Sequence, residues 1–282
     1  MTHPAFAQGR TAVITGGASG IGLAAAKRFA GFGMRVVLAD ANIGALERAK
    51  TDVAALTKNG PADVLALATD VADLASVEAL KAAAYDRFGE VAVLMNNAGV
   101  GRGGGAFDHI DGWRRVLGVN LWGVVNGLQA FTQAMIDQKT PCAIVNTGSK
   151  QGITNPPGDA AYNVSKAGVK TVTEHLAHQL RNIDGCQISA HLLVPGFTFT
   201  GITRGGFTEK PAAAWTGEQV ADEMIEAMGR GDFYILCPDN DVTRAVDERR
   251  IQWAADDLIR NRPALSRWHP DFKDEFAAWM GG

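Results

Sequence analysis

The stretch Thr11-Ala12-Val13-Ile14-Thr15-Gly16-Gly17-Ala18-Ser19-Gly20-Ile21-Gly22 joins a short apolar run to a glycine cluster, and residues 23–32 continue with helical spacing. An apolar run without polar alternation has both faces buried, the mark of a strand in a parallel sheet. Glycines let the backbone turn tightly and approach a pyrophosphate, while a helix start offers unpaired N–H groups and the positive end of its dipole. A glycine-rich turn alone is a common connection. Between a buried strand and a helix it predicts a dinucleotide site built on Gly16, Ser19, Gly20, Ile21 and Gly22.

Working outward, further apolar runs lie at 36–39, 91–95, 143–145 and 188–194, with helical stretches at 20–32, 43–58, 74–88, 113–136 and 160–182. Strand and helix alternate throughout. This order predicts an α/β fold, a single doubly wound (Rossmann) domain whose mostly parallel seven-stranded sheet has helices on both faces. Ligands then lie beyond the carboxyl ends of the strands, at the point where strand order reverses. The catalytic and dinucleotide-binding domain is expected over 1–239, ending in a strand at 233–236. A C-terminal helical extension follows over 240–282, with one charged helix near 244–260 and an irregular tail carrying Trp268, His269 and Trp279.

Composition narrows the class. The 282 residues are 46% apolar and 20% charged with a formal net charge of −3, the balance of an ordinary globular protein. No lysine or arginine cluster favours nucleic acid, and no leader or membrane-spanning run is visible, so a cytoplasmic protein is expected. Cys142, Cys186 and Cys237 are odd in number and far apart, and predict neither a disulfide framework nor a metal site.

Asp40 closes the second strand, about 20 residues past the glycines, where a carboxylate can accept hydrogen bonds from ribose hydroxyls. A 2′-phosphate would meet a like charge with no base nearby, so NAD(H) is expected over NADP(H). The competing reading makes Asp40 a cap for the helix near Ile43. Tyr162 and Lys166, four apart in a helical stretch, share one face. A lysine ammonium would favour the phenolate of a tyrosine whose ordinary pKa is about 10, making it a usable base or acid near neutrality.

With these residues in place the chain resembles the short-chain dehydrogenase/reductase family over about residues 9–236. The resemblance rests on the glycine turn, Asp70-Val71, Asn96-Asn97-Ala98-Gly99, Asn120, Ser149, Tyr162-Asn163-Val164-Ser165-Lys166 and Pro195-Gly196, in that order. It implies hydride transfer between NAD(H) and a secondary alcohol or ketone, without a metal. By the same resemblance Asp70 and Val71 hold the adenine, and Asn97, Ala98 and Gly99 line the adenosine side. Pro195, Gly196, Thr198 and Thr200 sit by the nicotinamide. Position 198 is more often a branched apolar residue in that family, so Thr198 is expected to act through its backbone. Tyr162 exchanges the hydroxyl proton with Lys166 beside it, Ser149 steadies the substrate oxygen, and Asn120 holds a water linked to Lys166.

Substrate choice belongs to the pocket mouth. That mouth is expected to involve Lys150 and Gln151, the glycine-rich run 100–105, Pro156-Pro157 and a lid over 197–215. Phe197, Phe199, Phe207 and Trp215 suggest an apolar or ring-containing substrate, or are simply core. Lys150 and Gln151 either orient a carbonyl or carboxylate or are solvated loop residues. An inactive NAD-binding regulatory protein is the alternative function. A sugar-nucleotide epimerase or dehydratase would have a tighter glycine turn and a larger C-terminal domain. The aromatics of the extension, Trp253, Trp268, Phe272, Phe276 and Trp279, have no evident core of their own, which together with the resemblance predicts a homo-oligomer, a dimer or tetramer, covering them.

Overall fold

The computed structural model describes residues 2–203 and 207–281. Five strands follow the apolar runs. They are β1 (Thr11–Thr15), β2 (Arg35–Asp40), β4 (Val93–Asn96), β5 (Cys142–Thr147) and β6 (Ile188–Val194); β3 (Val64–Ala68) and β7 (Tyr234–Leu236) complete the sheet. Its order is β3-β2-β1-β4-β5-β6-β7, and every neighbouring pair is parallel. All of β1, β4 and β5 is buried, as strands covered on both faces must be, while the edge strands β3 and β7 are only partly covered.

Helices α1 (Gly20–Gly31), α2 (Ile43–Ala54), α3 (Leu74–Phe88), α4 (Ile110–Leu117), α5 (Gly123–Asp137), the short α6 (Gln151–Thr154), α7 (Ala160–Arg181) and α8 (Gly217–Arg230) make the crossovers. Two apolar clusters fill the faces. One packs Phe29, Met34, Leu38 and Met224 with the α1 and α8 side; the other packs Leu80, Leu94, Phe131 and Ile144 with the α3 and α5 side. Strand order reverses between β1 and β4, so the crevice opens beyond their carboxyl ends.

Two expectations need correction. The single helix expected over 113–136 is broken: a π-helical turn at Gly118–Trp122 separates α4 from α5. A residue inserted into a helix in this way re-aims its side chains, and here Asn120 is turned fully inward. The tail is not irregular either. After α9 (Arg244–Ile259) the chain makes two 3₁₀ turns and ends in α10 (Lys273–Gly281).

The extension also has a small core of its own. Trp253 is 2% exposed, with Phe276 edge-on at 5.2 Å, Trp279 at 6.1 Å and the Arg262 guanidinium 3.9 Å from its ring. Its indole N–H donates to Ser266 Oγ at 2.8 Å, and the Trp279 indole donates to the Arg249 carbonyl at 3.1 Å. Polar handles satisfied in this way let two tryptophans share one small cluster.

Candidate active site

At the turn after β1, Gly16 has φ +63°, and a Cβ there would lie 2.8 Å from Ala98 Cα. A Cβ on Gly22 would meet the Gly16 carbonyl oxygen at 2.3 Å. Only glycine lets the turn, the helix start and the β4 loop approach so closely. Ser19 precedes α1 in an extended conformation and makes no side-chain cap, so its hydroxyl does not cover the first N–H groups of the helix. Gly16, Ser19, Gly20 and Ile21 line a cavity of about 800 Å³ that runs along the carboxyl ends of the strands. Gly22 stands behind them, among the residues packed on the turn.

Asp40, Asp70, Val71, Asn97, Ala98 and Gly99 line the same cavity. Asp40 accepts from Ala18 N at 3.1 Å and Asn42 N at 2.9 Å; the side chain that caps α2 is Asn42, accepting from Ala45 N at 3.0 Å. The capping alternative for Asp40 is thereby replaced. Among the described residues, the cations on the cavity wall are Arg102 and Lys166. Asn97 donates to the Thr15 carbonyl at 3.1 Å, and Thr15 Oγ1 accepts from Asn97 N and Ala98 N at 2.9 and 3.1 Å, fastening the β4 loop to β1.

Ser149 follows β5, and Tyr162 and Lys166 stand one turn apart on α7; all three line the cavity. Asp159 caps α7 by accepting from Tyr162 N at 3.2 Å. Lys166, 4% exposed, donates from Nζ to the Thr147 carbonyl at 2.7 Å, and Nζ lies 5.7 Å from the Tyr162 ring centroid. Burial lowers the Lys166 pKa to about 8. Burial also raises the Tyr162 pKa; the Ser149 hydroxyl opposes this and the Asp159 charge adds to it. The ammonium donates to the Thr147 carbonyl and lies over the Tyr162 ring.

Asn120 is fully buried but off the cavity wall. Its Oδ1 accepts from Val100 N at 2.8 Å, and Nδ2 donates to the Val100 carbonyl and to Ser165 Oγ at 2.9 and 3.1 Å. Both amide donors are spent on protein, so Asn120 can meet a water only through an oxygen, its Oδ1 or its main-chain carbonyl. Pro195, Gly196, Thr198 and Thr200 all line the cavity. Thr198 forms a parallel bridge with Trp215, in keeping with a backbone role.

The substrate residues expected at the mouth fare differently. Gln151, Phe197 and Trp215 are not on the cavity wall. Gln151 is an exposed residue opening α6. The Phe197 ring lies 6.3 Å from that of Phe207, while the Phe197 carbonyl accepts from Trp215 N, and Trp215 packs against the core. Residues 204–206 of the expected lid lie outside the described residues. The expected run 100–105 contributes Val100, Gly101 and Arg102 to the wall and the expected lid contributes Gly201, Ile202 and Thr203, with Val119 added from outside the expected segments. Val119 is brought there by the π-helical turn, which helical periodicity does not reveal.

Lys150 neither orients substrate nor lies in solvent. Its Nζ pairs with Asp247 of α9 at 2.5 Å and with Asp239 at 3.5 Å, each partner 6% exposed. Asp239 also accepts from Phe197 N at 3.2 Å. Among the described residues no three His, Cys, Asp or Glu side chains gather as a metal site, and no helix is long and apolar enough to cross a membrane.

Residues 10–210 match the family model of short chain dehydrogenases. The chain belongs to the short-chain dehydrogenase family. It is 33% identical to the 1-deoxy-11-beta-hydroxypentalenate dehydrogenase of Streptomyces arenae, over 93% of this chain and 94% of that one. The 3beta-hydroxysteroid dehydrogenase 1 of Eggerthella lenta is 36% identical over 74% of this chain and 78% of its own. A short-chain dehydrogenase/reductase from Burkholderia phymatum, solved in complex with NAD, superposes with a TM-score of 0.80 at 34% identity, covering 93% of this chain and 97% of that one. As a member of this family the protein is a nicotinamide-dependent oxidoreductase acting on CH–OH groups.

Proposed function

We propose that the protein is an NAD-preferring dehydrogenase of secondary alcohols carried on an apolar or ring-containing framework. The observation that carries this reading is the convergence of Ser149, Tyr162 and Lys166 on one cavity shared with the glycine turn and Asp40. The residues fit the cofactor. Glycines that admit no Cβ and an uncovered helix start suit a pyrophosphate, and Asp40, which has no ion pair among the described residues, suits ribose hydroxyls rather than a 2′-phosphate. Asp70, Val71, Asn97, Ala98 and Gly99 would hold the adenosine half, and Pro195, Gly196, Thr198 and Thr200 the nicotinamide half.

When bound, NAD supplies the hydride acceptor, and a positive charge that favours the phenolate. Tyr162 takes the hydroxyl proton of the alcohol, and gives one back in the reverse direction. Ser149 donates a hydrogen bond to the substrate oxygen as charge develops there. Lys166 holds its ammonium against Thr147, and Asn120 would hold a water that links it to solvent. Val100, Val119 and Ile202 on the wall support an apolar substrate framework, as do relatives named for a hydroxypentalenate and a hydroxysteroid.

The same reading includes a cytoplasmic location and a homo-oligomer in which, by the family resemblance, the helical segments 113–136 and 160–182 pair across a two-fold axis; Trp122 and Val164, 57% and 47% exposed on these segments, support the pairing. It keeps residues 1–239 as the catalytic unit with 240–282 appended. Tyr162→Phe is expected to lower turnover of a cyclic secondary alcohol about a hundredfold with folding intact. NADH is expected to bind at least about tenfold more tightly than NADPH, a gap narrowed in Asp40→Ala. Fluorescence titration and an alcohol panel at alkaline pH check both. An absence of turnover across the panel, with NADH bound normally, would favour the inactive regulatory alternative.

A further inference from the structure

Arg102 is a non-glycine residue in the left-handed region, with φ +63°. Such a conformation is strained for a residue with a side chain and persists only where surroundings enforce it. Asp159 enforces it. One carboxylate oxygen accepts from Arg102 N at 2.7 Å, and both accept from Gly103 N at 3.1 and 3.2 Å. The Arg102 carbonyl is held from the other side by Arg115 at 3.1 Å.

The same Asp159 caps the helix that carries Tyr162. One side chain therefore fixes the backbone of Arg102 and the start of the Tyr162 helix relative to each other. Arg102 lines the cavity on the side of Val100, Gly101 and Ile202, where a Cβ on Gly101 would touch Ile202 at 3.2 Å. Lys166, the other cation on the wall among the described residues, is buried and committed to Thr147. Among the described residues the Arg102 guanidinium has no ion pair, whereas neighbouring Arg114 pairs with Asp111 and Arg115 is spent on the Gly101 and Arg102 carbonyls.

We propose that Arg102 is a specificity residue for a substrate that bears a carboxylate remote from its reacting hydroxyl. The apolar framework packs on Val100, Val119 and Ile202, and the guanidinium fork receives the anion bidentately. The proposal rests on the dehydrogenase reading and refines its substrate class. A site built to pair a charge rejects the uncharged analogue more strongly than an apolar wall rejects a change of size.

The test compares 3-hydroxycyclohexanecarboxylate with its methyl ester, in turnover and in binding to the protein–NAD complex followed by nuclear magnetic resonance titration. The wild-type protein is expected to favour the acid at least about tenfold in kcat/KM or in Kd. Arg102→Gln is expected to lose that preference through KM, and Arg102→Lys to keep part of it. Equal binding of acid and ester by the wild-type protein, or an unchanged preference in Arg102→Gln, overturns the proposal. Failure of the dehydrogenase reading shows separately, as an absence of turnover for every alcohol while the binding arm still reports on Arg102.

Discussion

The direction of the Tyr162 pKa rests on side chains that can be changed one at a time. Burial and Asp159 raise it, and Ser149 lowers it. Ser149→Ala therefore leaves only the raising influences, and the acid limb of the kcat/KM profile for alcohol oxidation is expected to move to higher pH as turnover falls. Asp159→Asn keeps a good helix cap but removes the charge, and is expected to move the same limb to lower pH. Steady-state profiles of the two variants check the pair; limbs moving the same way would show that another group is titrating. Ser149, Tyr162 and Lys166 were legible in the sequence because the chemistry demands those residue types at set offsets along strand and helix. Arg102 was not singled out, because its conformation is imposed by Asp159, 57 residues further along the chain.

Among the elements, α9 reaches furthest beyond what periodicity reveals. Helical spacing predicts it, but not that Asp247 would arrive against Lys150, beside Ser149, or that Asp239 would touch both Lys150 and the Phe197 backbone. The contact joins the extension to the two turns that flank the proposed nicotinamide site. Burial pushes the Asp247 pKa up, and its pairing with Lys150 opposes that. Removing one partner of a buried pair strands the other, at a cost of about 3 kcal/mol or more, whereas replacing both with apolar residues of similar size is close to neutral. Asp247→Ala is accordingly expected to destabilise the protein by roughly that amount and to lower kcat. Lys150→Met with Asp247→Leu and Asp239→Asn, which leaves no buried carboxylate facing an apolar residue, is expected to recover most of the stability. Urea unfolding of the three proteins measures this, and a single variant as stable as wild type would show that the pair carries no such burden. The π-helical turn was hidden for a related reason: residues 113–136 keep an apolar periodicity close to helical, and the insertion shows only in what Asn120 bonds to.

At the scale of the whole molecule, the sheet order follows from buried strands and right-handed crossovers, which a single sequence displays well. What ties the first residues to the far side of the sheet is a long-range network that it does not display. At the amino end of β6, His3 Nε2 lies 2.9 Å from Ser189 Oγ, and His191 Nε2 lies 2.8 Å from the same hydroxyl. Ala5 N donates to His3 Nδ1, so neutral His3 carries its proton on Nε2 and donates to Ser189. His191 Nδ1 faces the Asp232 carbonyl at 2.7 Å and must donate there, leaving its Nε2 to accept from Ser189. Every proton in the relay is assigned with both rings neutral, and protonating His3 would aim an N–H at the Ala5 N–H. Burial, with His191 adding to it, lowers the His3 pKa to about 4. The sign then follows: between pH 6.5 and about 4 the unfolded chain binds a proton that the folded chain refuses, so stability falls as pH falls through that window and levels off below it. The contribution is on the order of 2 kcal/mol, since one pKa unit corresponds to about 1.4 kcal/mol and part of the ring remains accessible. His3→Gln is expected to flatten the decline in urea-unfolding free energy between pH 7 and 4.5, and an unchanged slope in that variant would place the acid sensitivity elsewhere.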